Sequence, residues 1–121
     1  MYYNPYNLRN GYRFNNGKKS TKYVQVLNIL LYVNVFSIKK SIKKSDVHRI
    51  MGWCPDHGNH SAMWAELNRI GYAQYRTMDQ SWIITRRGID YLLDNKLAID
   101  YNEIRDILHN VDHFKKVLSI A

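Results

Sequence analysis

The sequence predicts a mainly helical α+β fold with one small β-hairpin in a chain of 121 residues. The first observation is an apolar helical spacing from Met63 to Ile70, which Gly71 ends where a left-handed backbone conformation is needed. The second is a short β-prone run at residues 82–84, placed directly after a predicted turn at residues 79–80. A helix, a hairpin and a further helix therefore follow one another in the middle of the chain.

Residues 1–20 are expected to form an irregular arm, because they show neither helical nor strand periodicity. The arm is basic, and its aromatic residues are Tyr2, Tyr3, Tyr6, Tyr12 and Phe14. Arms of this kind place basic side chains in a minor groove or stack aromatic rings on a partner. Folding back onto the arm's own domain is the alternative.

Residues 21–36 predict the first core helix. This segment is apolar nearly all round, so it is expected to be buried on several sides or shared with a second subunit. Its β-branched residues also permit a strand, although its length favours a helix. Residues 37–44, with the sequence SIKKSIKK, predict either more helix or an extended link with a short strand.

Capping residues predict the bounds of the next three helices. Ser45 is expected to cap the second helix, and Gly52 to end it. A loop at residues 53–59 then leads to a third helix over residues 60–70, capped by Asn59 or Ser61. After the hairpin, Thr85 is expected to cap a fourth helix whose apolar positions are Ile89, Leu92 and Leu93.

Residues 100–120 predict one long final helix, with Asp100 at its N-cap. An apolar stripe runs along it, formed by Ile104, Ile107, Leu108, Val111, Phe114, Val117 and Leu118. A stripe of this length predicts a homodimer interface, and packing on the first helix of the same chain is the alternative. The chain is thus divided into an arm (1–20), a central domain (21–95) and a dimerisation helix (96–121).

Two short segments resemble the winged helix-turn-helix of small prokaryotic and viral transcription regulators. They are residues 67–72 (LNRIGY) and residues 82–88 (WIITRRG), and the resemblance covers residues 24–94. It implies that the first segment ends a recognition helix and that the second is the return strand of a wing. It also implies double-stranded DNA as the partner.

The resemblance assigns candidate contact residues. Asn and Arg side chains hydrogen-bond base edges, and Lys and Arg neutralise phosphates. The candidate base-reading residues are Asn59, His60, Ser61, Asn68 and Arg69. The candidate phosphate contacts are Lys39, Lys40, Lys43, Lys44, Arg76, Arg86 and Arg87.

The charge distribution independently favours a polyanionic partner. Ten Lys and Arg residues but only one acid, Asp46, precede Ile50, so that part carries a charge of +9. Eight bases and nine acids follow, which gives −1. Excess charge concentrated in one half is typical of nucleic-acid binding, and a solvated lysine-rich face is the alternative.

The sequence predicts neither an enzyme nor a cofactor, because it contains no catalytic triad, phosphate-binding glycine loop or paired carboxylates. Cys54, Asp56, His57 and His60, with His48 nearby, are zinc-type ligands, but their spacing is not a usual one and no metal is expected. The single cysteine indicates a cytoplasmic protein, in the host cytoplasm if viral. The apolar run at residues 23–36 is too short and too polar to span a bilayer.

These observations favour a sequence-specific DNA-binding protein that represses or activates transcription by occupying its site. Its source would be a prokaryote, a virus or a mobile element. The rival hypothesis is a protein of the same fold that binds and inhibits another protein, for instance a host enzyme that handles nucleic acids. The basic residues favour the first, whereas the Tyr-rich arm and the weakly basic third helix favour the second.

Overall fold

The computed structural model describes residues 22–53 and 58–119. The predicted arm and residues 54–57 therefore lie outside the described part of the chain. The mainly helical α+β class is confirmed. The described elements are α1 (Lys22–Phe36), α2 (Lys44–Met51), α3 (Gly58–Ile70), β1 (Ala73–Arg76), β2 (Ser81–Ile84), α4 (Arg86–Asp94), α5 (Tyr101–Ile107) and α6 (Val111–Ser119).

Helix α1 is the centre of the core, and the predicted helix over this segment is confirmed. Its residues Val24 and 26–33 are all buried, so it is surrounded by other elements of the same chain. Asn28 is fully buried, and its amide donates to the carbonyls of Val24 (3.0 Å) and Leu97 (3.1 Å) and accepts from the Ile99 amide (3.1 Å). No helix within residues 22–53 and 58–119 has the length and apolar character needed to cross a membrane.

The predicted hairpin is confirmed, and a single residue extends its sheet. Strands β1 and β2 are antiparallel, with Tyr75 opposite Trp82 and a turn at residues 77–80. On the other side of β2, the amide and carbonyl of Ile42 exchange hydrogen bonds of 3.0 and 2.7 Å with Trp82. The SIKKSIKK segment is therefore an extended link, the second of its two predicted alternatives.

Several predicted helix ends are confirmed by the backbone. Gly71 (φ 84°) and Gly52 (φ 72°) adopt the left-handed conformation that favours glycine. The Thr85 hydroxyl accepts a hydrogen bond from the Gly88 amide (3.0 Å) and donates one to the Gly71 carbonyl (2.6 Å), which joins α4 to the end of α3. Asp100 caps α5 by accepting from the Glu103 amide at 3.0 Å.

Two predicted helix starts are wrong. Helix α2 begins at Lys44, one residue before the predicted cap Ser45, and Lys43 precedes it without a side-chain cap. Helix α3 begins at Gly58, so Asn59 and Ser61 lie inside its first turn and do not precede it. In both cases the backbone enters the helix before the polar side chain that the sequence offered as a cap.

The predicted single C-terminal helix is wrong, because the chain forms two helices, α5 and α6. Leu108 leaves the helical conformation (ψ 139°), and the amides of His109 and Asn110 both donate to the Ile50 carbonyl at the end of α2 (2.9 and 2.8 Å). The Asn110 side chain then caps α6 by accepting from the His113 amide at 3.0 Å.

The break also corrects part of the predicted dimer interface. Ile104 and Phe114 are fully buried and Leu108 is 9% exposed within a single chain, so these three side chains belong to the monomer core. Ile107, Val111 and Leu118 are only partly buried against that core. The apolar stripe is divided in this way because α5 and α6 turn different faces to α1 and α2.

Candidate nucleic-acid interface

An open groove of about 540 Å³ lies between the beginning of α2, the side of α3 and the hairpin. The start of α2 and the residue before it place two lysines and a serine on one wall, α3 places a small residue and an amide on another, and the hairpin closes the third side. The lining residues are Lys43, Lys44, Ser45, Ala65, Asn68, Tyr75, Gln80 and Trp82. None of these described lining residues is acidic, so the groove is electropositive.

Aromatic rings form the floor of the groove. Trp82 is 8% exposed, and its ring lies between Trp64 (4.8 Å between centroids) and Tyr75 (5.5 Å, interplanar angle 58°). Trp64 is buried, and its indole N–H donates to Nε2 of His48 at 3.0 Å. Trp82 in the floor therefore packs on Trp64, and the hydrogen bond to His48 fixes the position of Trp64.

His48 must be neutral to accept that hydrogen bond, with its proton on Nδ1. Burial, with smaller contributions from the neighbouring charges of His60 and Lys44, lowers the pKa of His48 to about 4. The imidazole is only 4% exposed, and its centroid is 5.2 Å from that of the His60 ring. Protonation would place a charge among aromatic rings and remove the acceptor for Trp64.

His60 was predicted to read bases, and the structure contradicts that role. Its ring is 4% exposed and stacks on Trp53 at 4.3 Å between centroids. The polarity of histidine suggested an exposed position, but α3 turns this side chain into the aromatic cluster beneath it. The side chain of Asn59, another predicted base reader, lies outside the described residues.

The other predicted base readers, Ser61, Asn68 and Arg69, are exposed on α3. Only Asn68 lines the groove. The Arg69 guanidinium binds both carboxylate oxygens of Glu66 (3.0 and 2.6 Å). This pairing lowers the pKa of Glu66, and Arg69 is therefore already engaged on the helix surface.

The four predicted phosphate-binding lysines are all exposed, but they stand in different places. Lys43 and Lys44 line the groove. Lys39 lines a neighbouring cavity of about 410 Å³ together with Asp79. Lys40 has a left-handed backbone (φ 62°), and its ammonium donates to the Asn34 carbonyl at 3.1 Å.

The three predicted phosphate-binding arginines do not line the groove. Arg76 pairs with Asp79 across the hairpin turn at 3.6 Å, and Arg86 pairs with Asp90 on α4 at 3.2 Å. Arg87 is exposed at the first turn of α4, beside Gly71. The structure thus brings together two of the seven predicted phosphate contacts with one of the predicted base readers.

Sequence reasoning missed the contribution of the hairpin to this groove, which comes from Tyr75, Gln80 and Trp82. Tyr75 is 41% exposed, which is high for a large aromatic side chain. The available signal was an aromatic residue in a strand whose neighbours, Gln74 and Arg76, are polar. Alternation with polar neighbours in a strand predicts a buried ring, so this signal pointed the wrong way, and only the fold shows that Tyr75 and Asn68 line one groove.

The candidate metal ligands are only partly described. Cys54, Asp56 and His57 lie outside the described residues. Within residues 22–53 and 58–119, no group of three His, Cys, Asp or Glu side chains is arranged to hold a metal ion. His48 and His60 are neighbours there, and both belong to the aromatic cluster under the groove.

Comparison of the chain with protein-family models, with curated proteins and with solved structures finds no match.

Proposed function

We propose that the protein binds double-stranded DNA through the groove and the exposed side of α3, and that it regulates transcription by occupying its site. The observation that carries the proposal is the convergence of Lys43, Lys44 and Asn68 on one groove without an acidic lining residue. Lysines would hold phosphates, and the amide would contact a base edge. A prokaryote, virus or mobile element would be the source, as the resemblance implies.

The order of elements supports a winged helix-turn-helix. Helices α2 and α3 precede a hairpin, and α4 follows it, with Gly71 and Thr85 at the junctions. In this proposal α3 is the recognition helix and the β1–β2 hairpin is the wing. The bridge between Ile42 and Trp82 fits the same arrangement, because it fixes the basic link beside the wing.

Base reading would depend chiefly on Asn68. Its amide both donates and accepts, which matches the major-groove edge of adenine. Arg69 would contact a base only by leaving Glu66, so its contribution is smaller than an unpaired arginine would give. Specificity would then be modest and affinity largely electrostatic.

The test is the salt dependence of binding to a random-sequence duplex. Lys43→Gln/Lys44→Gln should lower the slope of log affinity against log salt by about 2, because each lost phosphate contact removes about 0.9. Lys115→Gln/Lys116→Gln is the matched control, since it removes two adjacent, exposed lysines of α6 and the same charge. Equal slopes for the two double variants would contradict this interface, and no binding of the wild type at about 50 mM salt would contradict DNA binding itself.

A protein partner is the second candidate, and two exposed apolar side chains favour it. Met78 is 90% exposed at the turn of the hairpin, and Ile38 is 75% exposed before the basic link. Contiguous exposed apolar side chains mark interaction surfaces, and this candidate requires Ile38 and Met78 to lie on one such surface. Absence of duplex binding at low salt would favour this candidate over the first.

A homodimer remains part of the proposal, with a smaller interface than the sequence predicted. The partly buried residues Ile107, Val111 and Leu118 would supply it. A two-fold dimer would present two copies of α3 to half-sites about one DNA turn apart.

A further inference from the structure

We propose that the groove holds a single base that has left the stack of the bound DNA, with its face against Tyr75. This inference rests on the proposed DNA binding and specifies what the groove itself takes. Four features of the groove carry it: an exposed ring, amides on two walls, ammonium groups on the third, and a concave shape.

The ring of Tyr75 is both supported and exposed, so that a base can stack on it. Trp82 lies opposite Tyr75 in the sheet and supports one side of its ring at 5.5 Å between centroids. The rest of the ring is open to the groove, and 41% of the residue is exposed. Aromatic side chains that carry unpaired bases have this arrangement, because every base offers a π-face to such a ring.

Two amides stand on either side of that platform. Asn68 belongs to the α3 wall and Gln80 to the hairpin wall. Each amide has both donors and an acceptor, so the pair can satisfy the polar edge of a base between them. Gln80 is exposed in the hairpin turn and has a left-handed backbone (φ 56°).

The third wall carries positively charged groups that can bind the phosphates of a nucleotide. Lys43 and Lys44 are exposed at the beginning of α2, and Ser45 adds a hydroxyl beside them. The ammonium groups would hold the phosphates on either side of the extruded base. The groove therefore combines groups that can contact a phosphate, a base face and a base edge.

The concave shape of the groove favours a base that is extruded from the duplex over a base that is still stacked within it. In a duplex the base faces are covered by their neighbours, and only the edges are accessible in the grooves. A ring at the floor of a groove can therefore meet a base face only after that base leaves the stack. The groove volume of about 540 Å³ lies within the range of small-molecule sites.

The test compares three DNA probes of the same sequence: a perfect duplex, a duplex with one central bulged nucleotide, and the single strand. Fluorescence polarisation of labelled DNA gives affinities, and tryptophan emission, to which Trp82 beside Tyr75 contributes, reports on the floor of the groove. The bulged duplex should bind more tightly than the perfect duplex and should quench tryptophan more strongly. Tyr75→Leu should weaken bulge binding by about 5- to 150-fold, which is the loss of one base–aromatic stack.

Tyr75→Phe is the matched control, since it keeps the ring and should retain the preference for the bulge. Unfolding midpoints of both variants verify that the fold is unchanged. Equal binding of the bulged and perfect duplexes, unaffected by Tyr75→Leu, would overturn this inference and leave duplex binding intact. Binding of none of the three probes would overturn the proposed function and this inference together.

Discussion

Acid should destabilise the protein through His48, and the size of the effect follows from its environment. The pKa of His48 is about 4 in the folded protein because of burial, with His60 and Lys44 adding to the effect. In the unfolded chain the pKa returns to about 6.5, so the unfolded state binds the proton first as pH falls. The contribution is therefore fully present above pH 6.5 and is lost as the pH falls from 6.5 towards 4.

The expected loss can be worked out at two pH values. Relative to pH 7.5, the free energy of unfolding should be lower by roughly 1 kcal/mol at pH 5.5 and by roughly 2 to 3 kcal/mol at pH 4.5 from His48 alone. Urea unfolding followed by tryptophan fluorescence measures this directly, because Trp64 and Trp82 lie in the same cluster. Carboxylates such as Glu66 and Asp79, whose pKa values are lowered, add their own loss mainly below this window.

His48→Gln separates the histidine from that background. Glutamine offers an acceptor oxygen for the Trp64 indole N–H but does not titrate. The variant should be less stable at pH 7.5, since its packing is imperfect, but its stability should change much less between pH 6.5 and 4.5. Parallel loss of stability in the wild type and the variant across this window would refute the reasoning, because the acid sensitivity would then arise elsewhere.

Two further predictions concern the core and the assembly. Asn28→Leu should lower the free energy of unfolding by about 2–5 kcal/mol, because it leaves the partly buried Leu97 carbonyl and the buried Ile99 amide without their side-chain partner. A loss below about 1 kcal/mol in urea unfolding would mean that water replaces the amide. Ile107→Asp/Leu118→Asp should convert a dimeric wild type into folded monomers by light scattering, whereas a wild type that is monomeric at tens of micromolar would contradict the dimer.

Local signals predicted much of the middle of the chain. Gly71 and Thr85 act within a few residues of themselves, through backbone conformation and a side-chain cap, so their positions could be predicted without a fold. The hairpin turn could likewise be predicted from residues that are neighbours in the sequence. These are the features for which the sequence contains both partners of the interaction close together.

The features that could not be predicted depend on distant partners. The break between α5 and α6 is fixed by the Ile50 carbonyl, which accepts from His109 and Asn110, and the local cap at Asn110 does not indicate that distant pairing. His60 is buried because Trp53 and His48 happen to face it, although its own residue type suggests an exposed position. The candidate groove could not be predicted for the same reason, since its floor is formed by residues from separate strands and helices.

The hydrogen bonds to the Ile50 carbonyl have a consequence for how the chain is made. They join residues separated by almost half of the sequence, and Ile50 lies in the last turn of α2. A nascent chain leaving the ribosome therefore cannot complete the end of α2 until Asn110 has emerged. Until that moment the side of α2 that α6 covers stays open to contacts with other chains, so the late C-terminal helices protect α2 from misassembly.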